Sequence, residues 1–363
     1  MLLRKEKEAK LIEVQKLEDK NFKLQSYYYA IFSANIHKFL PEIEKSKYKK
    51  MFYDSIYSQH CAVIEQSSKE YLMSSKIINH SNVDIEKGEV LNKTIFATFH
   101  LGSYKTIISF LYNAGFKIAL IIDDTVFKSQ SDVFEEIVKN IIVGKKTSEL
   151  VILNVKERSS IVRLKKMIED GYVMAVYLDG NTGINVESQD FSKSYMPISF
   201  LNQNLNVKYG VGKLAALLNA TVVPLISYRG IDDANTIEIY KEILIDDFDD
   251  KEVFAKKAIE YCYSILEKKV RIYPTQWECW GYIHKWFSRD LKIEYNSPVE
   301  KITKFNDCRY EFFEANGTNF LFDLFSYTSF PITEEICRKI KSNDFLSLKP
   351  ELLLELNNKN ILI

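Results

Sequence analysis

The chain has no excess charge of either sign: Lys plus Arg and Asp plus Glu each number 49, so the formal net charge is zero over 363 residues. That balance argues against a dedicated nucleic-acid binder, whose affinity rests largely on neutralising phosphates. No run approaches the roughly 18 apolar residues of a membrane-crossing helix. The start, Met1 to Lys23, is rich in Lys and Glu and lacks an apolar signal core. Cysteine is sparse, and Cys61, Cys262, Cys279, Cys308 and Cys337 show neither a CxxC nor any metal-ligand spacing. They read as reduced core residues of a cytoplasmic protein, and no metal site is expected. There is no GxGxxG and no GxxxxGK(S/T), so no glycine-rich phosphate loop is present.

What the chain does have is apolar and aromatic bulk. Hydrophobic residues make up 46% of it, with 22 tyrosines and 23 phenylalanines, as befits a large globular core. Residues 1–90 read as helical, because glycine and proline are nearly absent there apart from Pro41 and Gly88. Leu2, Leu11, Val14 and Leu17 form a weak apolar stripe. It suits either a packed helix or one lying on a membrane surface.

From 91 to 294 the pattern alternates. Strand candidates are 94–99, 118–123, 150–154, 172–178, 221–227 and 236–240. Helix candidates are 104–115, 130–142, 158–170, 207–219 and 251–269. This alternation predicts an α/β domain with a mostly parallel sheet covered by helices. Residues 295–363 differ. Two short strand candidates, Tyr310–Glu314 and Asn319–Phe322, flank Asn316-Gly317, a strong hairpin signal. Helical patterns follow at 333–341 and 350–357, giving a small winged-helix-like α+β domain.

Of five histidines, His100 has the most suggestive setting. It ends the apolar run Ile95-Phe96-Ala97-Thr98-Phe99 and precedes Leu101-Gly102-Ser103-Tyr104, a small-residue turn that opens a helix. Reactive groups in open α/β sheets gather at such strand ends. A histidine there can accept a proton near neutral pH, or can simply be hydrogen-bonded structure.

Four segments in order resemble the lysophospholipid acyltransferase superfamily, and most nearly the lipid A late acyltransferase branch. They are Ala97–Tyr104; Val176-Tyr177-Leu178-Asp179-Gly180-Asn181; Phe200-Leu201-Asn202 through Tyr209–Ala215 to Val223-Pro224-Leu225; and Tyr273-Pro274-Thr275-Gln276-Trp277 with Trp280, His284 and Trp286. The resemblance implies transfer of a fatty acyl group from an acyl carrier protein or coenzyme A thioester to an amine or hydroxyl, with no bound cofactor. It implies that His100 is the base. The backbone around Gly102, Ser103, Tyr104 and Lys105 would suit an oxyanion or a phosphate. Arg158 and, more weakly, Arg229 would meet phosphate. Phe99, Tyr104 and Phe200 either line an acyl slot or belong to the core.

One position departs from that family. An acidic residue is expected five positions after the histidine, and Lys105 stands there. Its ammonium cannot accept the imidazole N–H and would lower the histidine's pKa. Three readings stay open: another carboxylate, Asp179 or Asp123, orients the ring; His100 acts without one; or the site binds without reacting. The tail, Tyr310–Phe313, Asn319–Asp323 and Ser329–Thr333, resembles a PqqD-like domain. That likeness implies a precursor peptide added as a strand to an exposed sheet edge, and with it a peptide acceptor. Peripheral contact with a membrane is the remaining alternative for the N-terminal helix.

Overall fold

The computed structural model describes residues 2–20, 22–90, 92–122, 128, 148–154, 160–180, 195–287, 302 and 304–363. Two compact units emerge, a division that runs across the three-segment reading. One comprises Met1–Leu11 and Ser55–Cys279, the other Ile12–Asp54 and Trp280–Ile363.

The first unit is built on a seven-stranded sheet. Its strands are β1 (Lys76–Asn79), β2 (Thr94–Thr98), β3 (Lys117–Ile122), β4 (Glu149–Asn154), β5 (Val173–Tyr177), β8 (Thr221–Arg229) and β9 (Asn235–Ile239), in the order β1-β9-β8-β2-β5-β3-β4. The five from β8 to β4 are mutually parallel. The β8–β9 pairing is antiparallel and β1 pairs parallel with β9, so β9 and β1 run the other way. Every residue of β2 and of β8 is buried. A sheet covered on both faces requires such continuous apolar runs rather than an alternating pattern.

Helix α5 (Thr106–Ala114) supplies one covering layer. Its Ile107, Ile108 and Leu111 share a core with Phe96, Ile118, Leu120, Val223 and Leu225. Each such side chain, fully buried, is worth about 1.5–3 kcal/mol. Helix α7 (Gly210–Leu218) packs on α8 (Lys251–Ile272) through Gly212, where a Cβ would stand 2.1 Å from the Ala255 carbonyl oxygen. Only glycine permits that approach.

Strands and helices foreseen in the middle region recur within a few residues, and the fold is the α/β class expected. The foreseen helix 130–142 lies outside the described residues. The helix foreseen at 207–219 starts only at Gly210, because 207 and 208 complete a hairpin, β6 (Tyr195–Phe200) with β7 (Gln203–Lys208). Leu201 and Asn202 make its turn, both with positive φ. Two residues in that region form the expected twist-matched turn, but Leu-Asn is a weak signal for it. Strand β1, short and largely exposed, likewise interrupts the stretch read as helical. Helix α1 (Leu2–Lys20) buries Lys7 and Val14, while Leu11 and Leu17 of the apolar stripe are half-buried. Among the described residues no helix is long and apolar enough to cross a membrane.

In the second unit β10 (Tyr310–Ala315), β11 (Thr318–Asp323) and β12 (Thr328–Ile332) form an antiparallel sheet. Asn316 and Gly317 make the foreseen two-residue turn with positive φ at both positions. Helices α9 (Glu334–Lys341) and α10 (Pro350–Asn358) close a core of Tyr310, Leu321, Ile340, Leu356 and Leu362. Thr333 caps α9 by accepting the Ile336 N–H at 3.2 Å. All five cysteines are free thiols; Cys308, expected in the core, is exposed.

Candidate active site

Adjacent parallel strands β2 and β5 pair Thr98 with Tyr177. Continuing that register brings His100 opposite Asp179, just beyond the carboxyl ends of both strands. The Asp179 carboxylate accepts the His100 backbone N–H at 3.0 and 3.1 Å and lies 2.7 Å from the ring Nδ1. A carboxylate only accepts, so Nδ1 carries the proton and Nε2 presents its lone pair. Asp179 is fully buried, whereas the His100 side chain is 23% exposed. The ring is therefore partly accessible while its anchor is not.

Two further donors hold that anchor. Trp277 donates its indole N–H at 2.8 Å and Cys279 its thiol at 3.2 Å, both to the Asp179 carboxylate. Burial alone would raise the Asp179 pKa. The nearby imidazole and the hydrogen bonds from His100, Trp277 and Cys279 outweigh it and hold the carboxyl below the usual range. Burial works against charge on His100 too, but Asp179 and then Glu278 outweigh it, and the imidazole is raised above its ordinary value. Lys105 does pull downward, as its charge predicts, yet it is the smallest of these influences. The net direction expected from Lys105 alone is thus reversed.

Tyr104 and Tyr177 frame the ring, with centroids 4.8 and 4.7 Å from it. The Tyr177 hydroxyl donates to the Tyr104 carbonyl at 3.1 Å, and the Tyr104 hydroxyl to Glu278 Oε2 at 3.2 Å. Tyr177 also borders a cavity of about 550 Å³ lined by Ile121, Ile122, Leu164, Val176, Leu178 and Leu214, among others. Its volume and apolar walls match those of ligand sites. A larger cavity of about 780 Å³ in the C-terminal unit lies along β10 and α9 and is lined by no histidine.

No family model matches the chain, and no curated protein matches it. Among solved structures, the crystal structure of the 1-acyl-sn-glycerophosphate (LPA) acyltransferase PlsC from Thermotoga maritima is similar at 11% identity. That likeness covers 70% of this chain and 99% of that one, with a TM-score of 0.32.

Several residues expected at the site do other work. Arg229 is buried and pairs with Glu65 at 2.9 Å, while also donating to the Ser58 carbonyl at 3.1 Å and to the Ser58 hydroxyl. It is spent on structure and does not offer its fork to a phosphate. Ser103 is fully buried and donates its hydroxyl to Glu65 at 2.5 Å. Glu65 also pairs with Lys7 at 2.5 Å. Phe200 is core, packed on Trp277 at 5.4 Å rather than lining a slot. The Gly102 N–H is taken by the Gln276 carbonyl at 2.9 Å. A Cβ on Gly102, where φ is +58°, would stand 2.6 Å from the Tyr228 Cα. Among the described residues no backbone hydrogen bond is formed by the amides of Ser103, Tyr104 and Lys105. Lys105 precedes the first turn of α5, half-buried, and burial lowers its pKa while Glu278 opposes that effect. Arg158 and Asp123 lie outside the described residues.

Sequence reasoning missed Glu65 and Glu278. Nothing in the helix ending at Glu65 marks that residue out. Glu278 was hidden among the tryptophans of the 277–286 block.

Proposed function

We propose that this chain is an acyltransferase that moves a fatty acyl group from a thioester donor to an amine or hydroxyl. The observation that carries the reading is the 2.7 Å contact between His100 Nδ1 and Asp179 beside an apolar cavity of about 550 Å³. Asp179 fixes the tautomer, so Nε2 is free to take the acceptor's proton as it attacks. The carboxylate also supports the imidazolium that forms. The amides of Ser103 to Lys105 are the candidate donors to the tetrahedral oxyanion. The cavity suits an alkyl chain, each buried methylene contributing about 0.8 kcal/mol. Lys208 and Lys213 border it and suit the phosphate of a coenzyme A or carrier-protein arm.

Lys105 was the argument for a site that binds without reacting. With the ring oriented from β5, that argument loses its force. A peptide acceptor is the finer form of the reading. It would use the edge of β12, which among the described residues pairs only with β11, though Pro331 leaves that edge one N–H short.

The test is incubation with palmitoyl and octanoyl thioesters of coenzyme A and of acyl carrier protein, with paired amines and alcohols as acceptors. The expected result is an acceptor mass gain of one acyl group matched by released thiol. Thiol release no faster than without protein, for every donor, overturns the proposal.

A further inference from the structure

We propose that Glu278 is the first proton acceptor for a cationic amine, so that the acceptor at this site is a primary amine rather than an alcohol; the inference rests on the acyl-transfer reading above. It starts from backbone geometry. Leu101 and Trp277 form an antiparallel bridge. Around it the Gly102 N–H donates to the Gln276 carbonyl at 2.9 Å, and the Glu278 N–H to the His100 carbonyl at 3.1 Å. His100 and Glu278 are therefore directly opposite across this short ladder. Residues so paired put their side chains on one face, with Cβ atoms about 4.5–5.5 Å apart.

Glu278 is not needed to orient the ring, since Asp179 does that from β5. Its own carboxylate is steadied by the Tyr104 hydroxyl at 3.2 Å. Unlike Asp179, it is only partly buried, as is His100. The ionisable groups acting on it are His100, Lys105, Tyr104 and Asp179. Burial raises it above the usual carboxylate range, with the charges of His100 and Lys105 working against that rise. It is thus a better base than a surface glutamate.

An amine needs such a second base and an alcohol does not. A primary amine arrives protonated at neutral pH, with a pKa of about 7.7–8.0 for an α-amino group and about 10.4 for lysine. Glu278 takes the first proton and passes it to water. The freed lone pair forms the C–N bond to the thioester carbonyl carbon, and His100 Nε2 takes the second proton. The C–S bond then breaks, and the leaving thiolate collects that proton from His100. The products are an amide and a thiol, with one proton released to solvent. An alcohol sheds a single proton, which His100 alone can handle.

The test compares wild type with Glu278→Gln, using an alanyl peptide amide with a free α-amino group and its lactyl analogue, over pH 6 to 9.5. At pH 6.5 the variant should acylate the amine at least tenfold more slowly, and the lactyl hydroxyl with a much smaller loss. The amine deficit should close as pH passes about 8, where the α-amino group arrives neutral. A purely structural Glu278 would give a deficit independent of pH. That result, or a wild type that prefers the alcohol, overturns the inference and leaves acyl transfer standing. A wild type that acylates neither acceptor and releases no thiol above background overturns the acyl-transfer reading itself.

Discussion

Trp277 donates its indole N–H to Asp179, the same carboxylate that holds the ring of His100. The segment 276–279 thus meets the site from behind and from the side. Gln276 clamps the Arg229 backbone with two bonds of 2.9 Å. Trp277 and Cys279 fix Asp179, and Glu278 stands beside the imidazole.

Asp179 should set the pH range of the reaction. A base must be neutral to act, and a raised His100 pKa places the acidic limb of the rate profile above the ordinary imidazole value of 6.5. Replacing Asp179 with Asn removes the charge that raises it. The limb should then shift toward lower pH, with kcat falling by roughly 10²-fold, within what general-base catalysis supplies. A pH–rate profile of the two proteins checks both expectations.

Glu65 should govern stability rather than chemistry. It joins Lys7, Arg229 and Ser103 in a buried cluster, and Glu65→Gln leaves the Arg229 charge without its counter-ion. Breaking such a pair costs about 3–5 kcal/mol. Burial opposes ionisation of Glu65, but Arg229 and Lys7 outweigh it and depress its pKa below 4.5. A carboxyl depressed in the folded state stabilises above its unfolded pKa and loses that contribution as pH falls. The gap in stability between wild type and variant should therefore be full at pH 7 and shrink below about pH 4.5. Urea unfolding at several pH values measures it.

Leu214→Trp should shorten the preferred acyl chain. Leu214 lines the apolar cavity, and an indole there takes up space for methylenes. Each methylene excluded from the cavity forfeits about 0.8 kcal/mol. Competition between octanoyl and palmitoyl donors should shift toward octanoyl; an unchanged ratio would mean that the chain binds elsewhere.

Gly102→Ala should cost both stability and rate. The residue sits at φ +58° with the Tyr228 backbone 2.6 Å from any added Cβ, so the turn that follows His100 must move. A lower melting temperature together with a lower kcat is expected.

How much of this was legible beforehand follows from residue type. The strands β2, β5 and β8 announced themselves as buried apolar runs, and Asn316-Gly317 announced its hairpin. His100 and Asp179 could be placed at strand ends, but their 2.7 Å contact depends on β2 and β5 being neighbours, which no local pattern states. Arg229 looked like a phosphate ligand because an arginine's partner cannot be seen from sequence; Glu65 lies 164 positions away. The burial of the Ser103 hydroxyl against Glu65 and the packing of Phe200 on Trp277 were out of sight for the same reason. Short β1 and the Leu201-Asn202 turn lacked the composition that marks strands and hairpins.

The most direct measurement is the rate of acyl transfer by His100→Gln, with circular dichroism to establish that the variant is folded. The account predicts a fold intact and a rate reduced by roughly 10²–10⁴-fold, the share a positioned base contributes. A folded variant that transfers acyl groups at the wild-type rate would contradict it.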